Sequence, residues 1–410
     1  MKNKIIILVI ALLSCANLLG QNLDELLGEL VANNSELKAI NNQFLAAESR
    51  IQQESQLSNP TIGVGVPVLR PETRLGPQIT MVSATQMFPW FGTFKAKEEV
   101  MIQMSEIKYH EVALLKLDLV YQLKEAYYQL SFNQQKTKVL VRNIELYQAL
   151  EQIALSKVES GNGTTADVFR VQLKKQKIDQ AIIEIEFQNK QLSAIINQLI
   201  KAPLTNNIVP TDKYNEQEIL DFATTRFRNN LEKHPKIAQL SNQTAASENR
   251  QTVSQKMNGP MIGVGVDYSL VGERTDANPI GNGRDILIPK VMLTIPLYQK
   301  KNNSIQKEEG FIQESIAFQK TAFEDVIMRQ LVNLKTENDK YLSQITFYQK
   351  QIETTKMAIE IMLSNYSGSG TGFDEILQLY NELLISEVKI LNSKLQSKLV
   401  IAKIEKLTAY

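Results

Sequence analysis

The chain offers few side chains for chemistry. Its imidazoles are His110 and His234, and its one thiol is Cys15. His234 precedes a proline near a helix start and reads as a surface or capping residue, while His110 sits in a charged stretch and reads as solvent-facing. A single thiol excludes an internal disulfide framework and any multi-thiolate metal site. The 11 methionines are scattered along the sequence without a paired cluster. Ser, His and Asp fall into no catalytic motif, so the expectation is a protein that runs no reaction and carries no cofactor or metal. What does recur is an acidic turn. It reads Gly161-Asn-Gly163-Thr164-Thr-Ala-Asp167 and again Gly368-Ser-Gly370-Thr371-Gly-Phe-Asp374, followed by Glu375. A hydroxyl ahead of a helix, with an acid three residues on, is helix-start chemistry. The hydroxyl satisfies free N–H groups and the acid faces the positive end of the helix dipole, worth about 1 kcal/mol. Thr164 and Thr371 are therefore expected as N-caps, with Asp167 and Asp374 in the first turns behind them.

Turns of this kind need helices on either side, and the helix breakers say how long those helices are. The 410 residues hold only 12 Pro and 18 Gly, both below average use. No proline follows Pro89 until Pro203, and none follows Pro296. Proline costs ~3 kcal/mol inside a helix, so its absence permits very long ones. From Pro89 to Gly161 and from Pro296 to Gly368 is 72 residues in each case, roughly 105 Å of helix. Shorter return legs are expected at 164–202 and 373–407, and further helices at 23–57 and 217–257. Stacked in pairs, 164–202 with 217–257 and 373–407 with 23–57, these would match the long legs. Leu331, Leu334, Asn338, Tyr341, Ile345, Tyr348, Ile352, Thr355, Ile359, Met362 and Tyr366 keep strict 3-4 spacing, as do Ile178, Ile182, Ile185, Asn189, Leu192, Ile196 and Leu199. Such stripes keep a seam against a neighbouring helix in a coiled coil.

The chain is a tandem duplication. NPTIGVGV at 59–66 returns as GPMIGVGV at 259–266, and the acidic turn returns 207 residues on. Each half also carries a pair of strands between its helices. Ile62, Val64 and Val66 alternate with small residues, as do Ile262, Val264 and Val266. Their partners are expected near 78–88 and 286–297, with Val291, Leu293, Ile295 and Leu297 on one face and Lys290 and Thr294 on the other. Strands of 9–11 residues with apolar-out, polar-in alternation suit a membrane barrel. Four strands cannot close one, and open edges cannot face lipid, so a spanning chain must oligomerise. Phe88, Trp90, Phe91 and Tyr298 stand at strand–helix junctions, where aromatics form an interfacial girdle or pack in a core. Lys2, Lys4 and the apolar run from Ile5 to Leu13 form an export signal. Cleavage near Gly20 and lipid modification at Cys15 both stay open. The expected organisation is a signal at 1–20, a first repeat at 21–205, an equatorial linker at 206–216 and a second repeat at 217–410. The net charge of +1 argues against a nucleic-acid surface.

The duplicated helix–hairpin–helix plan, NPTIGVGV, QMFPWFG before a long helix and the two Gly-x-x-Thr-x-x-Asp turns resemble the outer-membrane efflux protein family, the TolC type, over residues 22–410. The resemblance implies a mainly α chain with a small membrane β-barrel. Four strands and long coiled-coil-like helices per chain would give a homotrimer with a twelve-stranded barrel and an α-helical periplasmic tunnel. It implies an outer-membrane location, lipid around the barrel, and a passive export duct. The duct would dock on a periplasmic adaptor (a membrane fusion protein) and an inner-membrane pump to carry drugs, metals or proteins. It implies that Gly161, Gly163, Thr164, Gly368, Gly370 and Thr371 meet the adaptor and that Asp374, with charge from Glu375, lines the pore constriction. Asp167 would be a lock partner. Leu377 and Gly370 stand where some members carry a second gate acid and a locking arginine. The rival readings are an exit duct for type I protein secretion and, in a different class, a soluble periplasmic coiled-coil scaffold or adaptor.

Overall fold

Where proline is withheld the helices run long, and no proline falls inside a described helix beyond its first residue. The computed structural model describes residues 21–211, 231–298, 300–369 and 372–409. The signal at 1–20 and part of the 206–216 linker lie outside the described residues. The elements in order are α1 (Leu23–Asn33), α2 (Ser35–Glu54), β1 (Thr61–Gly65), β2 (Glu72–Thr73), β3 (Gly76–Phe88), α3 (Thr93–Glu159) and α4 (Thr165–Ile200). A 3-10 turn (Leu231–Lys233) then leads to α5 (Pro235–Lys256), β4 (Met261–Val271), β5 (Ile286–Thr294), α6 (Lys300–Ser369) and α7 (Phe373–Thr408). The two long helices have 67 and 70 residues. Gly310 sits inside α6 with open space around it, so it costs only about 1 kcal/mol of helix propensity. Among the described residues no helix is long and apolar enough to cross a membrane.

The chain forms two compact units, and each draws on both halves of the duplication. The first gathers the described residues within Met1–Ala39, Ala113–His234 and Glu324–Tyr410, and the second those within Ile40–Val112 and Pro235–Phe323.

The first unit is helical. The 3-4 stripe of α6 is its buried face: Leu331, Leu334, Thr355, Ile359 and Tyr366 are buried, and the members between them are half-buried. The asparagines of the stripes are paired across the seam. Asn338 accepts a hydrogen bond from the Ser397 hydroxyl of α7 at 2.7 Å, and Asn189 of α4 accepts one from the Asn133 amide of α3 at 2.8 Å. One core joins Tyr147, Leu150, Ile178, Ile185, Ile359 and Ile376. Another joins Leu26, Leu30, Leu123, Tyr127 and Ile196.

The single helix expected at 23–57 is two helices broken at Asn34. That side chain is buried, and its Oδ1 accepts from the N–H groups of Glu36 at 2.9 Å and Leu37 at 3.1 Å. Its Nδ2 donates to the Leu199 carbonyl at 2.9 Å. One amide therefore caps α2 and ties it to the end of α4. His234 occupies the corresponding place 200 residues later. Expected as a surface or capping residue, it directly precedes α5 and is buried, and burial pushes its pKa down to about 4. Of the helix expected at 217–257, residues 217–230 lie outside the described residues; a 3-10 turn at Leu231–Lys233 precedes α5, which runs from Pro235 to Lys256.

The second unit contains the strands. They form an antiparallel sheet in the order β1-β3-β4-β5, with short β2 added at the start of β3. β5 stops at Thr294, so Ile295 and Leu297 fall beyond the ladder, on either side of Pro296, which has no N–H to donate. Register sorts the faces. Val64 stands opposite Val82, Val82 opposite Tyr268, and Val264 opposite Val291. These residues, with Val266 and Leu293, make an exposed apolar face. The other face carries Gly63, Ser83, Gly265, Asp267 and Lys290, with Asp267 and Lys290 ion-paired at 2.5 Å. Among the described residues β1 and β5 each pair with one strand, which leaves two open edges.

Candidate functional site

The acidic turns lie in the first unit, and the first of them is built by two glycines. Gly161 takes a left-handed φ of +76° as the chain leaves α3. A side chain on Gly163 would place its Cβ 2.9 Å from Lys157 Cβ, closer than atoms pack, so this position must be bare. Backbone bonds from Gly161 to Val158 at 3.0 Å and from Asn162 to Lys157 at 2.8 Å close the helix end. Thr164 is the N-cap of α4 as expected. The Asp167 carboxylate accepts from the Thr164 hydroxyl at 2.7 Å and from its backbone N–H at 3.4 Å.

The second turn differs from its copy. Gly368 falls in the last turn of α6, and Gly370 and Thr371 lie outside the described residues. The N-cap of α7 is Gly372 rather than Thr371. Its φ of +94° suits glycine, and its carbonyl accepts from the Ile376 N–H at 3.2 Å. Asp374 and Glu375 are exposed in the first turn that follows.

The residue that brings the acids together is Arg170, one turn into α4. Its Nη1 stands 2.6 Å from Asp374 Oδ1 and 3.2 Å from Asp167 Oδ1. Asp167 is mostly covered, with 14% of its side chain exposed, whereas Arg170 is 49% and Asp374 58% exposed. The clasp therefore joins the starts of both return helices, and its outer half is open to screening by salt. Beneath it Tyr366 is buried, packs on the Phe373 ring at 5.5 Å, and lies under Lys157 Nζ at 5.6 Å. Burial first, and the Asp167 charge second, push the Tyr366 hydroxyl pKa up. The family resemblance places a locking cation at the position of Gly370 and does not point to Arg170. The signal that finds it is a residue-by-residue comparison of the copies. Arg170 corresponds to Leu377, 207 residues on, and that leucine is buried. Among the described residues no group of three or more His, Cys, Asp or Glu could hold a metal ion. The arrangement is an electrostatic clasp with no nucleophile–base pair in it.

The four junction aromatics belong to the second unit. Phe88 ends β3, Trp90 and Phe91 follow it, and Tyr298 follows β5; all four are exposed, Phe91 and Tyr298 most of all. Trp90 packs edge-on to Phe91 at 5.6 Å and covers Gly259, where any Cβ would meet the indole at 2.4 Å. The Thr93 hydroxyl donates to the Trp90 carbonyl at 2.6 Å and fixes the entry into α3.

No protein-family model matches the chain, and no curated protein matches it by sequence. Solved structures do match. The outer-membrane channel OprN aligns with a TM-score of 0.76 at 15% identity, covering 94% of this chain and 89% of its own. The Campylobacter jejuni CmeC outer membrane channel aligns at 0.71 and 12% identity, covering 95% of this chain and 86% of that one. The Neisseria gonorrhoeae MtrE outer membrane channel, in its open state, aligns at 0.74 and 12% identity over 94% and 88%. Identities this low speak to architecture alone. The long helices and four-stranded antiparallel sheet expected from the duplicated sequence are the fold of the TolC-type outer-membrane channels.

Proposed function

We propose that the protein is the outer-membrane channel of a tripartite efflux system, a passive duct that works with a periplasmic adaptor and an inner-membrane pump. The observation that carries this reading is the sheet. It exposes a face of Val, Ile, Leu and Tyr side chains and leaves both edges unpaired. Unpaired edges are untenable in lipid, where every backbone N–H and C=O must find a partner. Three copies supply twelve strands and close the barrel, with the apolar face toward lipid and the Asp267–Lys290 face toward the lumen. Three of the four strands have 13, 11 and 9 residues, enough to cross a bilayer at a tilt. Phe88, Trp90, Phe91 and Tyr298 then mark the membrane boundary at the helix-bearing end of the strands.

In this reading the long helices form the periplasmic tunnel and the acidic turns its far tip. Arg170 holds Asp374 and Asp167 in one place, which keeps the tip constricted. Gly161 and Gly163 on one turn, with Gly368 on the other, allow close backbone approach by the adaptor. Transport needs no catalytic residue here, because the pump supplies the energy. Extraction distinguishes this reading from a soluble scaffold. The channel should fractionate with the outer membrane, require detergent, and emerge at three times the mass of one processed chain. Release by salt or carbonate washing as a monomer would end the proposal.

A further inference from the structure

We propose that the polar face of the strand layer carries a thioether site for a soft monovalent metal ion, Cu(I) or Ag(I), formed by Met87, Met292 and Met261. Strand register assembles it. Gly263 on β4 stands opposite Met87 of β3 on one side and Met292 of β5 on the other. Both side chains lean over the bare glycine. The point a Cβ would occupy on Gly263 lies 2.5 Å from Met87 Sδ and 3.1 Å from Met292 Cε. Met261 is two residues back on the same strand and on the same face, about 7 Å along β4.

The placement of the strand methionines argues against simple packing. Met81, Met87, Met261 and Met292 all point to the face shared with Gly265, Asp267 and Lys290. None sits on the apolar face, which Val, Ile and Leu supply. Around Gly263 this face carries Thr85, Gly265, Lys290 and Thr294, with Ile286 and Ile288 farther along β5, and there three unbranched thioethers are polarizable, adaptable donors. Thioether sulfur selects soft ions such as Cu(I), while harder divalent ions prefer oxygen and imidazole. The described residues offer those ions no cluster, and Asp267 is already held by Lys290. Neutral ligands leave the bound ion its full charge, which suits an exchangeable site rather than a permanent one. If the channel reading holds, the site lies on the lumen wall.

The test uses the full chain in detergent and silver nitrate in chloride-free buffer. Calorimetry should show Ag(I) binding, and X-ray absorption should show silver–sulfur scattering. The double variant Met87→Leu/Met292→Leu keeps side-chain volume and should bind at least about tenfold more weakly. Met101→Leu/Met104→Leu, which alters methionines on helix α3, should bind as the unaltered chain does. Gly263→Ala should also weaken binding by driving the two thioethers apart. If the double variant fails to assemble, Met87→Leu and Met292→Leu are read singly in the same way. Binding unchanged in the leucine variants, or no silver–sulfur scattering from the unaltered chain, would overturn the site. Because binding is read in detergent without a bilayer, its failure is distinct from a failure of the channel reading.

Discussion

Removing either member of the Arg142–Glu387 pair should cost unequal amounts, and the inequality follows from burial. Arg142 Nη2 stands 2.6 Å from Glu387 Oε1, with 53% of the arginine side chain exposed but only 10% of the glutamate. The other carboxylate oxygen accepts from Asn143 Nδ2 at 3.3 Å. Arg142→Ala leaves a covered carboxylate with one neutral donor, the situation that costs about 3 kcal/mol or more. Glu387→Gln keeps the volume and leaves an arginine that turns to water. Asn143 still donates to the Val139 carbonyl at 3.0 Å. That change forfeits little more than one charge-assisted bond, about 1.5 kcal/mol. Arg142→Ala/Glu387→Gln should fall below the sum of the two, since the uncompensated charge is gone. Denaturant titration of the detergent-solubilised protein, followed by helical circular dichroism, reads the order of midpoints. A Glu387→Gln midpoint at or below that of Arg142→Ala would refute the reasoning, because it would mean that the arginine is the desolvated partner.

Other consequences are as definite. Arg170→Ala removes two ion pairs whose outer half is exposed. At about 1 kcal/mol per chain it should barely move the melting midpoint but raise bilayer conductance several-fold, less so in high salt; unchanged conductance would take Arg170 out of the tip. Asn34→Ala removes the cap of α2 and the bond to Leu199, a loss of about 2 kcal/mol. Asn34→Asp should restore the cap but not the donor, so its midpoint should fall between the two. His234 titrates near 4 when folded against an ordinary 6.5. The unfolded chain therefore binds a proton that the folded chain refuses, and stability is lost as pH falls from about 6.5 toward 4. The loss is about 3 kcal/mol at most. His234→Asn, which copies the first half, should flatten that slope in melting curves taken across the range.

The long helices were legible because their determinants are local. Proline is absent, glycine marks the ends, and the 3-4 stripe from Leu331 to Tyr366 names the buried face. The strands were legible from alternation, and the Gly161 turn from its glycines and Thr164. What escaped depends on partners distant in sequence. Asn34 breaks a helix only because it reaches Leu199, 165 residues away. Arg170 gains its role from Asp374, 204 residues away, so no local motif contains both. Met87 and Met292 look scattered until strand register sets them on either side of Gly263. The cap at Gly372 escaped for the opposite reason. The two turns match so well that the Thr164 cap was carried to Thr371, although a glycine able to take positive φ stood one residue later.

Single-channel current in a planar bilayer bears most directly on the proposed duct. The purified trimer should give discrete, uniform steps that Arg170→Ala enlarges. Folded protein that inserts no conducting pore, or that stays monomeric in detergent, would contradict it.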